Sequence, residues 1–424
     1  MSNSMTARSN RITSIDALRG FVIVLMALDH CRDFFGDVRI NLENPETTNW
    51  AFFLTRWTTH FCAPTFVFLA GVSVWLYGNR IQSKRKLTQY LLSRGIWLWL
   101  LDLTVVYFAL SLSSILPWVF IVLSAIGVSM CLMAIVCWLP TLAVLIIGLA
   151  IIVGHNLLDP ITVESLGNGW GWLWHFVHQP GHVSHLNMNV GYPVLAWFGI
   201  MCFGYGIGPV FHQPVAIRRK TLITIGIVCV VCFFGVRFNN GYGCPKHWNL
   251  YQITPTGNET VPNAKSDEID AKSNSGEVDG FQIEFSKTAF SFLASQKYPP
   301  SLAFTLMTLG PAILILVLMD YLSDSHFLKR IFLVFGKVPL FFYLIHFYLI
   351  HISSILTYWV VTGKPLSPFL ELQSPQNSPP PEFVFQTLWQ VYVAYFLVIA
   401  ILYYPCKSYA KFKSTSNHPI WTYL

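Results

Sequence analysis

The stretch LAVLIIGLAIIV, residues 142–153, decides the fold. It is apolar on every face of a helix, so it shows neither a polar stripe for water nor the period-two alternation of a barrel strand. With its flanks it approaches the roughly 20 residues that cross a bilayer as a helix. Comparable segments recur along the 424 residues, of which 54% are hydrophobic and only 11% charged, a balance outside the soluble range. The expectation is an all-α polytopic helical bundle in the lipid bilayer, with 1–424 as a single integral membrane domain. No nucleic-acid partner is expected, because the net charge of +7 reports basic loops between spans.

Working outward, spans are predicted at 17–36, 50–78, 92–112, 115–138, 140–156, 191–211, 220–238, 301–321, 331–354 and 384–405, about 10 transmembrane helices. The first is read as a retained span, since it lacks a small-residue cleavage pattern and ends in charges. With the N-terminus inside, 17 of the 27 Lys and Arg fall in cytoplasmic segments, although the outer loops are the longer. The positive-inside rule therefore favours N-in and C-in, in a cell membrane. Ten of the 13 histidines then lie toward the outside, the exceptions being His212, His326 and His418. Two outer loops are long: 157–190, rich in His and Trp, and 239–300, whose acidic insert 254–279 reads as mobile. Asn258 opens an N-E-T sequon, relevant only in a secretory pathway. Most of the nine cysteines lie in spans, and Cys229 and Cys232, in IVCVVCFF, read as apolar filler rather than as a metal or redox motif.

Ionisable groups inside such spans are the functional candidates. In ALDHCRDFF, residues 27–35, Asp29, Arg32 and Asp33 share a helix face, so Arg32 can neutralise both carboxylates, while His30 points about 100° away. The plain alternative is a helix end whose charges reach the interface. His60 follows two threonines in RWTTHFCAPTFVFLAGVS and has membrane helix after it; its plain alternative is a buried imidazole bonded to a carbonyl. In FGKVPLFFYLIHFYLIHISS, toward the outer end of the ninth span, Tyr343 and His346 share a face, and His351 lies about 140° from His346. The loop histidines His175, His178, His182 and His185 are interrupted by Pro180 and Gly181, so a polar rim is expected there and no metal. In TSIDALRG, Thr13 or Ser14 can cap the first helix, with Asp16 near its start and Arg19 reaching the cytoplasmic interface, or the stretch is a clamp for a phosphate-bearing donor. Lys297, before two prolines in SQKYPPSLAF, is an anchor or an anion ligand.

The segments RITSIDALRGFVIVLMALDH, FCAPTFVFLAG, YPVLAWFGIMCFGYGIG, KYPPSLAFTLMTLGPA and GKVPLFFYLIHFYLIH resemble, in order and spacing, bacterial relatives of the heparan-α-glucosaminide N-acetyltransferase catalytic domain, within the transmembrane acyltransferases. The resemblance implies transfer of an acetyl group from cytoplasmic acetyl-CoA, through the bundle, to an extracytoplasmic sugar or glycan. The sequence departs from the family in one place. The family's proposed catalytic histidine lies in the loop after the first helix, and here no His occurs between His30 and His60. The expected roles are therefore His60 or His30 as the base with Asp29 orienting an imidazole, Arg19, Asp16 and Lys297 on acyl-CoA, and Arg32, Asp33, His346 and Tyr343 around the acceptor. An acyl-histidine intermediate stays open, and a homodimer is the one protein partner considered. The alternatives are a proton-coupled secondary transporter, with Asp29, His30, His60 and His346 as its proton path, and a membrane scaffold.

Overall fold

A computed structural model describes residues 12–36, 41–112, 117–253, 260–262, 282–363 and 387–416. The insert 254–279, apart from the strand Thr260–Pro262, lies outside the described residues, as do Asn258 and His418. Among the described residues eight helices are long and apolar enough to cross a membrane: Trp50–Ile81, Lys84–Ser111, Thr141–Leu158, Val194–His212, Val215–Asn239, Leu302–Tyr321, Pro339–Val361 and Leu388–Thr415. The chain is an all-α polytopic membrane protein. The other two expected spans are also helices. α1 (Thr13–Phe35) has the length but carries Asp16, Arg19, Asp29, Arg32 and Asp33, whereas Val122–Val136 is apolar but has only 15 residues.

Proline and hydrogen-bonding supply account for where the observed boundaries differ from the expected ones. The second span divides into α2 (Trp50–Thr59) and α3 (Cys62–Ile81), and the break falls on His60 and Phe61. Pro64, in the first turn of α3, has no N–H to give to the preceding turn, so a helix can begin there but not run through. The third span starts earlier than expected: α4 (Lys84–Leu101) opens on Ser83, whose hydroxyl accepts from Lys86 N, and so its basic first turn is helical. α4 then widens into a π-helical turn, Asp102–Val106, before α5 (Tyr107–Ser111). The loosened carbonyls are taken up by side chains: Tyr348 Oη donates to Val105 O at 2.7 Å, and His351 Nδ1 lies 2.8 Å from Ala109 O. The carboxylate of Asp102 accepts from Ile121 N and Ser124 N, which caps α6 (Val122–Val136).

The ninth span is displaced relative to the expected 331–354. A short helix, Phe327–Gly336, ends before Pro339, and the spanning helix is Pro339–Thr362. Pro339 at its first positions is pre-organised for a helix start. His346 and His351 consequently sit mid-helix, not toward its outer end.

Small residues let the remaining helices touch backbone to backbone, the usual way of packing where lipid offers no hydrophobic driving force. α7 (Thr141–Gly154) and α9 (Val194–Gly206) meet at Gly148, where a Cβ would lie 2.5 Å from Phe203 N. α1 meets the helix Phe327–Gly336 at Gly336, where a Cβ would lie 1.7 Å from Asp16 O. α10 (Val215–Asn239) and the helix Leu302–Tyr321 are joined on the other flank by Arg218 and Arg219, both bonded to the Asp320 carboxylate. The long loop 157–190 is ordered by α8 (Gly167–Val177) and a small sheet. Trp118–Phe120 pairs parallel to Met188–Val190, which pairs antiparallel to Gly181–Val183. A second sheet places Tyr251–Ile253 between Thr260–Pro262 and Gln282–Ile283.

The α3–α9 contact gives a direct test. A Cβ at Gly71 would sit 2.0 Å from Met201 O and one at Gly204 2.2 Å from Phe68 O, whereas Gly235 has nothing within 4 Å. Gly71→Leu and Gly204→Leu are expected to lose about 1–3 kcal/mol, read as a lower thermal midpoint in detergent, with Gly235→Leu close to wild type.

Candidate active site

The ionisable groups of α1 and α2 meet inside the bundle in one network. Arg32, one turn after Asp29, donates to Asp29 Oδ1 and, at 3.1 Å, to Asp33 Oδ1. Arg56 of α2 reaches across to Asp29 with Nη1 at 2.9 and 3.1 Å from its two oxygens. The Thr59 hydroxyl adds a third donor at 2.8 Å. Asp29 is thus held by two guanidiniums and a hydroxyl rather than by an imidazole. His30 Nδ1 lies 4.0 Å from Asp33 Oδ2, too far for a hydrogen bond.

His60 turns the other way. At the α2–α3 break its Nε2 donates to Glu43 Oε1 at 3.0 Å, and its other ring nitrogen is buried without a partner among the described residues. Glu43, in the segment joining α1 to α2, also accepts from Arg56 Nε at 3.4 Å and from Lys246 Nζ at 3.1 Å. Lys246 is itself placed by the fully buried Arg237, which donates to its carbonyl and to those of Ser291 and Phe292. Burial alone would raise the Glu43 pKa. The hydrogen bond from His60 and the positive charges of Lys246 and Arg56 outweigh it and hold the carboxyl well below the usual carboxylate range.

These groups close one end of a cavity of about 570 Å³ that follows α1 from Arg19 to Phe34, roughly 22 Å at 1.5 Å per residue. At the Arg19 end its walls carry Ser73, Tyr90 and Arg94. Arg19 bonds to Asp16, to Leu69 O at 3.3 Å and to the Ser73 hydroxyl, and so ties α1 to α3. The middle is apolar, with Ile23, Met26, Phe66 and Ile126. The far end presents Asp29, His30, Asp33, Arg56, Thr59, Tyr192, Lys297, Tyr298 and Tyr343. Tyr298 Oη donates to Tyr192 Oη at 3.2 Å. Desolvation, reinforced by Tyr298, pushes the Tyr192 phenol well above its ordinary pKa, so it stays a hydrogen-bond donor at neutral pH.

The residues singled out by sequence are therefore sorted into three places. Asp29, His30, Asp33, Lys297 and Tyr343 share the far end, Arg19 with its partner Asp16 stands at the near end, and Arg32, His60 and His346 lie behind the wall. Lys297 is separated from Arg19 and Asp16, with which it was grouped on sequence. His346 packs its ring 5.2 Å from that of His30 and bonds Nδ1 to the Phe342 carbonyl of its own helix. The loop histidines go to separate partners: His175 to Gln179 O, His178 to Asp159, and His182 to Asn189, while His185 packs on Trp172. Arg56, Thr59, Glu43, Arg94, Tyr192 and Tyr298 were not singled out as site residues. For Arg56 a signal existed, a charge one turn before His60 in an otherwise apolar stretch; for Glu43, in a polar loop, there was none.

The family profile described as heparan-alpha-glucosaminide N-acetyltransferase, catalytic, matches residues 11–237. The chain belongs to this family. No curated protein matches it. Membership points to a membrane acetyltransferase, and the matched region holds both ends of the cavity as far as Arg19, His30, Arg56, Arg94 and Tyr192 supply them. Lys297, Tyr298 and Tyr343 line the same cavity from beyond the match.

Glu43→Gln removes the charge that three donors share, and a loss of about 1–3 kcal/mol is expected. Because the folded-state pKa lies below the unfolded one, the carboxylate's contribution is complete above about pH 4.3 and fades as the pH falls through the folded value. Denaturant unfolding from pH 7 down to 3 should show the variant weaker at neutral pH, with the gap to wild type closing toward pH 3.

Proposed function

We propose that this chain moves an acetyl, or similarly short acyl, group from cytoplasmic acyl-CoA to an amine or hydroxyl of an extracytoplasmic sugar. The observation that carries the reading is the single cavity with unlike ends: basic at Arg19 and Arg94, apolar between, and rich in carboxylate, imidazole and phenol at the far end. Arg19 and Arg94 suit the phosphates of CoA by charge-assisted bonds. The apolar middle suits the pantetheine arm, whose thioester would then arrive beside His30. The excess of basic residues in the segments read as cytoplasmic agrees with this direction.

At the far end His30 is the base, because its ring lines the cavity while His60 and His346 do not. His30 takes the proton of the acceptor amine or hydroxyl as the nucleophile attacks the thioester carbonyl. Asp33 stabilises the imidazolium that forms. In this reading the Tyr343 hydroxyl donates to the developing oxyanion, and the collapse of the tetrahedral intermediate expels the CoA thiolate, which His30 reprotonates. Asp29 keeps Arg32 and Arg56 in register around this centre, and His60 does the same for Glu43.

Radiolabelled acetyl-CoA, offered with amino sugars to the purified chain in nanodiscs, tests the reading. His30→Ala is expected to lower turnover by about 10²–10⁴-fold with acetyl-CoA binding retained, and Arg19→Gln to raise KM for acetyl-CoA about tenfold. His60→Ala should cost less than His30→Ala. Movement of a solute with protons in place of any acetyl transfer would make the chain a transporter instead.

A further inference from the structure

We propose that a second pocket, where α3 ends and α4 and α7 begin, binds a phosphate group, and that the headgroup of an anionic phospholipid presents it. The pocket measures about 210 Å³, and its lining includes Ser83, Lys84, Thr141 and Tyr205. It shares no lining residue with the cavity along α1. Ala70 of α3 lines that cavity and Asn79, nine residues on, lines this pocket, so the two spaces lie on opposite faces of one helix.

The first observation is an unanswered hydroxyl. Tyr205, the penultimate residue of α9, is only 4% exposed, and its Oη has no hydrogen-bond partner among the described residues. A buried polar atom left so costs about 1–3 kcal/mol, which a ligand that accepts its proton recovers. The rest of the lining is likewise set to donate. The Ser83 hydroxyl accepts from Lys86 N and the Thr141 hydroxyl from Trp75 Nε1 at 3.4 Å, so the proton of each is still to be given. Lys84 gives one N–H to the Cys137 carbonyl and keeps two. At the end of α3, Gly78 O already takes Gln82 N, and Asn79 O takes the Gln82 amide. Among the described residues no carboxylate lines the pocket. α4 and α7 begin at Lys84 and Thr141, so the positive ends of two helix dipoles add to the ammonium. A cation, three hydroxyl donors and two helix N-termini together suit a phosphate.

Two features select a lipid as the bearer of that phosphate. Thr141 is followed on α7 by an exposed apolar stripe, Leu142, Ile146, Leu149 and Val153, spaced at i, i+4, i+7 and i+11 on a helix long and apolar enough to cross a membrane. Trp138, exposed just beyond α6, donates Nε1 to Thr88 Oγ1 at 3.0 Å and sits beside Lys84's partner Cys137, as an aromatic residue does at headgroup level. Acyl chains laid along the stripe bring a headgroup to Thr141 and Lys84. With no carboxylate in the lining to meet a choline or ethanolamine cation, a headgroup of net negative charge fits better than a zwitterionic one.

Thermal unfolding of the full chain in detergent, titrated separately with phosphatidylglycerol, phosphatidylcholine, inorganic phosphate and CoA, tests the site. Wild type is expected to bind phosphatidylglycerol about tenfold more tightly than phosphatidylcholine, read as a larger rise in thermal midpoint at equal lipid. Tyr205→Phe should lower the affinity for phosphatidylglycerol about fivefold, while its midpoint without lipid stays at or above the wild-type value, since the lost hydroxyl bonds nothing among the described residues. Lys84→Gln should abolish the preference and Lys84→Arg keep it, and Lys86→Gln, on the same turn but outside the pocket, should behave as wild type. Should Lys84→Gln not fold, Tyr205→Phe decides alone. Equal binding of the two lipids overturns the proposal, and so does a preference that survives both Tyr205→Phe and Lys84→Gln. Inorganic phosphate that saturates the pocket at the same concentration as the lipid makes it a free-phosphate site, and CoA that displaces the lipid makes it part of the donor's seat; either result removes the lipid.

Discussion

The Asp29 carboxylate is the constraint around which the far end of the cavity is built. It receives Arg32 from its own helix and Arg56 and Thr59 from the next, so three polar side chains that would each be costly in a bilayer satisfy one another. Arg56 then carries the arrangement to Glu43, and Glu43 to His60 and Lys246. Removing one member of such a network leaves its neighbours with unmatched charge, which makes the set rigid as a unit. That rigidity positions the end of the cavity where chemistry is expected.

The two ends of the cavity are set by different physics. Near Arg19 the walls are helices held by backbone contact, and Arg19 bonds to a main-chain carbonyl, to a serine and to the Asp16 carboxylate of its own helix. At the far end the walls come from loops as well as helices, and the polar groups bond mainly to one another. On the proposed function, a long, partly apolar donor enters such a cavity from one side and a polar acceptor from the other. Water need not fill the apolar stretch between them.

Much of this was legible in the chain. The spans follow from runs such as 142–153, and Asp29, Arg32 and Asp33 on one face follow from helical spacing alone. Arg32 bridging the two carboxylates is what that spacing implies. Boundaries were less legible, because a proline ends a membrane helix only where the neighbours can satisfy the freed groups; Pro64 and Pro339 do so, while Pro311 lies within a continuous helix. The separation of Lys297 from Arg19 was beyond reach, since nothing local tells which end of a cavity a residue 278 positions away will face.

By itself the sequence determined the class of protein, a helical membrane bundle, because hydropathy acts residue by residue and needs no partner to be read. It also determined which spans carry charge. Only the tertiary structure decided which of those charges compensate one another and which face the cavity, because pairing depends on helices distant in the chain. Thus His30 lines the chamber and His60 is turned to Glu43, although the two histidines look equally placed along their helices. Lys297, an ordinary loop lysine in the chain, became the one cation of that network without a carboxylate among the described residues.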